Sequence, residues 1–386
     1  MTTLVLGDLH LSMHTPRAVD RDLVSLVRAN AGARLAFVGD FFDLSAETPR
    51  VRSDRAIETG FSAHEEVKRA LAEHVSRGGK LVFLGGNHDP EMGGLTAAAE
   101  IARVLDLDAA SAARIKTSPW FFREGRVHLE HGHIFDPDNA PEHPLIVPSA
   151  SLGVHFVEEF IAPTGAFAYL NANDGTPLDL FLSAFRWYGA RAPYVVYRYF
   201  HAAAKALAKS GPMFSGEGEG ARGELAMSAF LEHVGATREI ADAITNMSAA
   251  PTMRSFRDTV ARLYLDRVLA TVSIMAGVGA LGLGRPMLGL ALGSAGAMGL
   301  GASWLRGHDR YGGSVAQRLQ QGALGIADAT GAELVVLGHA HVATEHATYM
   351  NTGSFAFPRG LQGRPLIFIL DTAKPRAERV LFPTSS

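Results

Sequence analysis

The chain of 386 residues predicts an α/β fold interrupted by a large helical insertion. Three observations carry that expectation. Short apolar runs alternate with segments of helical period near both ends. A cluster of Asp, Asn or His residues follows each of several runs. The middle of the chain instead carries aromatic, basic and charge-free stretches of its own.

In order, Leu4–Leu6 reads as the first strand, and Ala18–Ala31 as a helix with Val19, Leu23, Leu26 and Val27 on one face. Leu35–Val38 is the next strand. Residues 53–77 form one longer helical stretch leading to the strand Lys80–Leu84, and Thr96–Leu105 is a further helix. Val127–Glu130 is a weaker strand. Towards the end, Val315–Ala327 reads as a helix feeding the strand Glu333–Leu337. Thr344–Met350, Pro365–Leu370 and Glu378–Phe382 read as closing strands, with Asn351-Thr352-Gly353-Ser354 as a turn.

The polar clusters are Asp8-Leu9-His10, Gly39-Asp40-Phe41-Phe42-Asp43, Gly86-Asn87-His88-Asp89, His131-Gly132-His133 and Gly338-His339-Ala340-His341. All five directly follow strand-like runs, and the carboxyl ends of strands are where open α/β sheets keep their sites. Hard oxygens, an Asn carbonyl and several imidazoles suit two divalent cations sharing a carboxylate. Any single His would more often be a satisfied core residue. Accordingly His14, His128, His155, His233, His308 and His346, which have no matched motif, read as structural or surface residues.

Composition agrees with a large soluble-type enzyme carrying something extra. Net charge is −3 from 36 basic and 39 acidic residues, so no overall basic field recruits nucleic acid. The absence of cysteine excludes disulfides and zinc–thiolate sites and is compatible with a reducing compartment. The first apolar run already delivers Asp8, so no signal peptide is expected and the catalytic part is expected in the cytoplasm.

The order of the five motifs resembles the calcineurin-like metallophosphoesterase superfamily, over residues 1–138 and 313–386. The resemblance implies a two-sheet β sandwich flanked by helices, with 139–312 as a helical insertion. It implies one metal on Asp8, His10, Asp40 and His341, and a second on Asp40, Asn87, His131 and His339, Asp40 being the bridge. His88 matches the family's catalytic histidine and Asp43 the second Asp of its G-D-x-x-D element. Chemically, a shared water between two cations becomes a hydroxide nucleophile near neutral pH. His88 can donate to a phosphoryl oxygen or protonate the leaving group, and Asp43 can orient a neighbouring histidine. Manganese is the expected metal, with iron or zinc as alternatives and magnesium less suited to so many imidazoles.

Two segments of the insertion stand out. From Phe181 to Gly216 there is no acidic residue, while Arg186, Arg191, Arg198, Lys205 and Lys209 interleave with Trp187, Tyr188, Tyr194, Tyr197, Tyr199 and Phe200. Such a mixture suits a membrane–water interface or, alternatively, a cap helix with a basic outer face. Residues Gly216–Gly223 read as a polar loop. Val268–Gly284 and Pro286–Leu305 contain no charge, and Arg285 alone separates them. Each approaches the length that crosses a bilayer, and Gly289 and Gly293 would let two helices approach closely. Residues 268–305 are therefore expected either to enter a membrane from one side or to pack as a dry Ala/Gly hairpin.

The expected function is hydrolysis of a phosphodiester or pyrophosphate by metal-activated hydroxide, in an amphiphilic or lipid-linked substrate, at the inner face of a membrane. Gly7-Asp8-Leu9-His10-Leu11-Ser12 and His131 through Asp136 are similar to the branch containing UDP-2,3-diacylglucosamine pyrophosphatases, which cleave a nucleotide–lipid pyrophosphate. His88 stands where several of those enzymes have arginine. The alternatives are a small-molecule diesterase for cyclic nucleotides or glycerophosphodiesters, and a non-catalytic scaffold of the same fold. A Ser/Thr protein phosphatase would show Arg-Gly after the second Asp, but Leu44-Ser45 follows Asp43.

Overall fold

In the computed structural model, residues 2–47, 53–146, 151–166, 177–214, 217–305 and 314–384 are described. They form two compact units. One comprises Met1–Gly165, Gly216–Pro251 and Val315–Ser386, and the other Ala166–Ser215 and Thr252–Ser314.

The first unit is built on two sheets. Strands β1 (Thr3–Leu6), β2 (Arg34–Val38), β3 (Lys80–Leu84) and β4 (Ile115–Ser118) run parallel. Strands β9 (Arg364–Asp371) and β10 (Arg376–Phe382) add antiparallel to the β1 edge. The second sheet holds β5 (Phe121–Glu124), β6 (Val127–Glu130), β7 (Leu334–Leu337) and β8 (Tyr349–Asn351) in that order, with β6, β7 and β8 parallel.

Strand side chains alternate, so each face of a strand feeds a different core. Val5, Ala36, Val38, Val82 and Leu84 meet Leu129, Leu334 and Val336 between the sheets. Their neighbours Leu4, Leu6, Leu35, Phe37, Leu81 and Phe83 face outward onto Val19, Leu23, Phe61, Leu71 and Ile101. On the far side of the second sheet, Val335 and Leu337 pack with Phe230 of the helix Glu217–Val234, Ile244 of Arg238–Thr245, and Leu319 and Ile326 of Ser314–Thr330. Both sheets are thus covered on both faces, which is why their strands read as continuous apolar runs.

Four local expectations are corrected. The helical stretch 53–77 is broken at His64 into Ala56–Ala63 and Glu65–Ser76, where His64 turns inward to pair with Asp20 at 3.0 Å. Of Thr344–Met350, only the end pairs, as Tyr349–Asn351, because β7 offers a short partner. The expected loop 216–223 is helical from Glu217, and its Gly223 lets the helix close on His143, whose ring a Cβ would meet at 2.1 Å. Finally, β4 and β5 were not expected as strands; both are short and carry charges.

The second unit is helical. It holds Pro177–Tyr188, Ala192–Ala208, Phe256–Arg262, Leu265–Gly282 and Pro286–Leu305. The last two form an antiparallel hairpin with a glycine seam. A Cβ on Gly277 would lie 2.7 Å from Gly293 N and 2.8 Å from Gly289 O. Ser273 Oγ donates to Leu292 O at 2.8 Å midway along, and Arg267 Nε donates to Ser303 Oγ at 3.0 Å at the open end. Both helices are long and apolar enough to cross a membrane, and only 17% of each is buried. Leu269, Val272, Met275, Val278, Met287, Leu290 and Met298 all project outward.

Candidate metal centre

The carboxyl ends of β1, β2 and β3 in one sheet, and of β6 and β7 in the other, deliver the expected ligands to one place. Three overlapping groups form there: Asp8 with His10 and His341, His10 with Asp40 and His88, and Asp40 with His131 and His339. Asp40 and His10 each belong to two of them.

The backbone is bent to achieve this. Asp8, His10, Asp40, His339 and His341 all adopt positive φ, between 45° and 67°. Outside this cluster, positive φ occurs among described non-glycine residues at Asp106 and Tyr264. Left-handed backbone is uncommon for side-chain-bearing residues, though Asp and His tolerate it better than most. Two glycines make the convergence possible. Gly39 has φ +85°, and a Cβ there would strike the His131 ring at 2.5 Å; at Gly86 a Cβ would lie 2.0 Å from Asp40 Oδ1.

The contacts among the ligands define two lobes around Asp40. In the first, His341 Nε2 lies 3.2 Å from Asp8 Oδ1 and 3.1 Å from His10 Nε2. In the second, His131 Nδ1 donates to Val38 O at 2.8 Å, which turns the Nε2 lone pair toward Asn87 Oδ1 at 3.0 Å and Asp40 Oδ2 at 3.3 Å. Asp40 Oδ2 is buried and makes no hydrogen bond among the described residues, although His10 Nε2 is also only 3.8 Å away. Lone pairs facing one another around a buried, unpartnered carboxylate oxygen are what a cation satisfies, so the residues fit the two metals. The same negative charge acts on protons. Burial pulls the His131 imidazole down, but Asp40 and Asp8 outweigh it and lift it to about 9, so Nε2 holds either a proton or a cation, and a cation would have to displace the proton. For His10 burial prevails and holds it at about 4.

His88 reaches the rim of this cluster, its ring 5.0 Å from that of His10. Its Nδ1 lies 2.8 Å from Asp43 Oδ1 and 2.7 Å from Ser45 Oγ, and Ser45 Oγ also donates to Asp43 Oδ1 at 2.8 Å. Burial opposes charge on His88, but Asp43 and Asp40 prevail and raise it to about 10. With Nδ1 held by Asp43, Nε2 is the nitrogen left to face a substrate.

Other residues support the ligands without having been anticipated. Asp136 Oδ2 accepts from His339 Nε2 at 2.9 Å, which leaves Nδ1 of His339 for the cluster. Asn139 donates to Asp136 at 2.7 Å and accepts from Asn87 Nδ2 at 3.2 Å. One Asp–Asn pair therefore ties two expected ligands of the second metal together. Asp89 gathers the backbone N–H groups of Asp40, Phe42 and Gly86, joining the β2 and β3 loops. Asn351 donates to Gly338 O at 2.6 Å and Ser354 to Asp8 O at 2.9 Å, so the turn after β8 braces both ends of the first lobe. Asp89 lies in the Gly86–Asp89 motif, Asp136 in the stretch that begins at His131, and Asn351 and Ser354 in the turn read after the closing strand, whereas Asn139 had no sequence signal. Of the histidines read as structural, His128 is buried against Glu130 at 3.0 Å and His233 is bonded to Thr117 O at 2.7 Å. His308 lies outside the described residues.

Two mixed sheets flanked by helices, with carboxylates and imidazoles gathered at their strand ends, define a metal-dependent phosphoester hydrolase. The calcineurin-like phosphoesterase family model matches residues 1–205, more than half of the chain, and the protein belongs to that family. Its members bind two divalent metals. No curated protein matches the chain.

Proposed function

We propose that this protein hydrolyses a phosphodiester or pyrophosphate bond in an amphiphilic, lipid-linked substrate, of which a nucleotide–diacylglucosamine is one example, at the cytoplasmic face of a membrane. Asp8, His10, Asp40 and His341 would hold one metal, and Asp40, Asn87, His131 and His339 the other, manganese being best suited to this mixed set. Bound there, two such cations would neutralise phosphate charge and make water a better nucleophile near neutral pH. The chain's own contribution is positional. Asp43 and Ser45 hold His88 by Nδ1, so that Nε2 can pass a proton to the leaving oxygen.

The observation that carries the lipid-linked part is the hairpin Leu265–Leu305, whose apolar side chains face outward along its length. An exposed apolar surface of this extent marks an interaction site, and its lengths match the hydrocarbon core. Exposed Trp187, Tyr194, Tyr197 and Phe200, among basic residues, suit the headgroup level of the same surface. Both hairpin ends lie on one side, leaving the whole site-bearing unit in one compartment.

The test is to load the protein with manganese and compare bis(p-nitrophenyl) phosphate with a diacylated nucleotide–sugar pyrophosphate. Turnover of both, lost on chelation, is expected, with the lipid substrate strongly preferred. Equal turnover of the two would point instead to a small-molecule diesterase, and turnover of neither to a scaffold.

A further inference from the structure

The site-bearing unit holds a half-open pocket of about 180 Å³ beside the cluster. Its walls include Leu95, Pro119, Leu145, Ile146 and Phe230, together with Gly86 and His133. Gly86 alone separates this wall of the pocket from the bridging carboxylate, Asp40 Oδ1 lying 2.0 Å from where a Gly86 Cβ would stand. The His133 ring centroid is 5.4 Å from that of His131. His133 is buried, its Nδ1 has no hydrogen-bond partner among the described residues, and no other lining side chain carries a hydrogen-bonding atom.

We propose that this pocket binds the hydrocarbon group that sits next to the scissile phosphate, an alkyl or aryl group about the size of one ring or a six-carbon chain. An apolar cavity of about 150 Å³ takes up benzene and stays dry without it, so this volume sets that limit. A phosphate at the cluster would place its neighbouring ester group at the pocket mouth, because the Gly86 wall is one residue from Asn87. The proposal rests on the amphiphilic-substrate reading and narrows it to esters whose hydrocarbon adjoins the phosphate, which sets aside the nucleotide–diacylglucosamine, where a sugar stands there. Selection is made beside the phosphate and by size, in addition to any selection by a membrane.

The experiment uses the full-length, manganese-loaded protein and a series of alkyl p-nitrophenyl phosphodiesters from methyl to dodecyl. In the parent protein kcat/KM should rise about fourfold per methylene and level off near six carbons. Ala226→Trp, in the pocket wall on the helix Glu217–Val234, should flatten that rise, bringing the ratio of hexyl to methyl kcat/KM toward one. Leu95→Ala, at a side chain already 41% exposed, should move the plateau to longer chains and serves should Ala226→Trp not fold. A rise unchanged by either variant overturns the pocket and leaves the amphiphilic reading standing. A parent protein indifferent to chain length overturns both.

Discussion

The ligands are asked to do two things that oppose each other, to bury charge and to bend the backbone. Five of them sit at positive φ, and several are fully buried. Such a centre is costly unless its charges are compensated, and cations compensate them. Removing the bridge by Asp40→Ala, or His131→Ala in the second lobe, should abolish hydrolysis and lower bound metal by elemental analysis; wild-type activity at full metal content in either would sink the assignment. His88→Ala should behave differently, losing about 10²- to 10⁴-fold in kcat, the usual worth of a positioned acid, with both metals retained. Asp136→Asn tests the unanticipated support, since the carboxylate that orients His339 would become a weaker acceptor. It should weaken metal affinity about 10- to 100-fold, and metal excess should restore the rate. An unaltered binding isotherm would mean that Asp136 is mere packing. That Asp8, His10, Asp40, Asn87, His131, His339 and His341 converge was legible because each lies within four residues of the end of a strand-like run. The supporting roles of Ser45, Asp136 and Asn139 were not, because a hydrogen-bond partner is chosen by what the fold brings near it.

Strands with both faces buried announce themselves as apolar runs, which is why β1, β2, β3 and β7 could be placed from sequence. The half-polar β4 and β5 could not, since Lys116, Arg123 and Glu124 break their pattern. Glycine misled in the opposite way at Gly218, Gly220 and Gly223, which sit inside a helix and, at Gly223, serve close packing rather than a turn. The hairpin seam uses glycine likewise. Gly277→Leu would drive a side chain into the backbone of Gly289 and Gly293, so a loss of about 1–3 kcal/mol, read by chemical denaturation, is expected. Elsewhere His74 clamps the helix Glu65–Ser76 to the start of β2, its Nε2 donating to Ala33 O at 3.1 Å. Burial lowers its pKa from 6.5, and its Nδ1 has no partner among the described residues. The unfolded chain therefore binds the proton more readily. The stability His74 confers is fully present above pH 6.5 and drains away as pH falls through its lower folded value. Chemical denaturation across pH should show this slope, and His74→Gln should flatten it.

At the scale of the whole molecule, the catalytic chemistry and the apolar surface are carried by different units. All assigned ligands lie in residues 8–131 and 339–341, and the hairpin contributes none. The proposal for the second unit therefore makes a separable prediction. The hairpin ends are held together by Arg267 and Ser303, so a short Gly/Ser linker can replace residues 268–305 without stretching the chain. The full-length protein should float with vesicles of anionic phospholipid and need detergent for extraction, because its outward Leu, Val and Met side chains have no aqueous solution of equal energy. The linker variant should remain in the soluble fraction and hydrolyse bis(p-nitrophenyl) phosphate at the parental rate. On a long-chain diacyl substrate presented in vesicles it should lose orders of magnitude, as each methylene withdrawn from water is worth about 0.8 kcal/mol. If the full-length protein stays in solution without detergent, and the variant matches it on vesicle-borne substrate, the hairpin belongs to internal or subunit packing and the membrane reading fails, while the metal chemistry stands untouched.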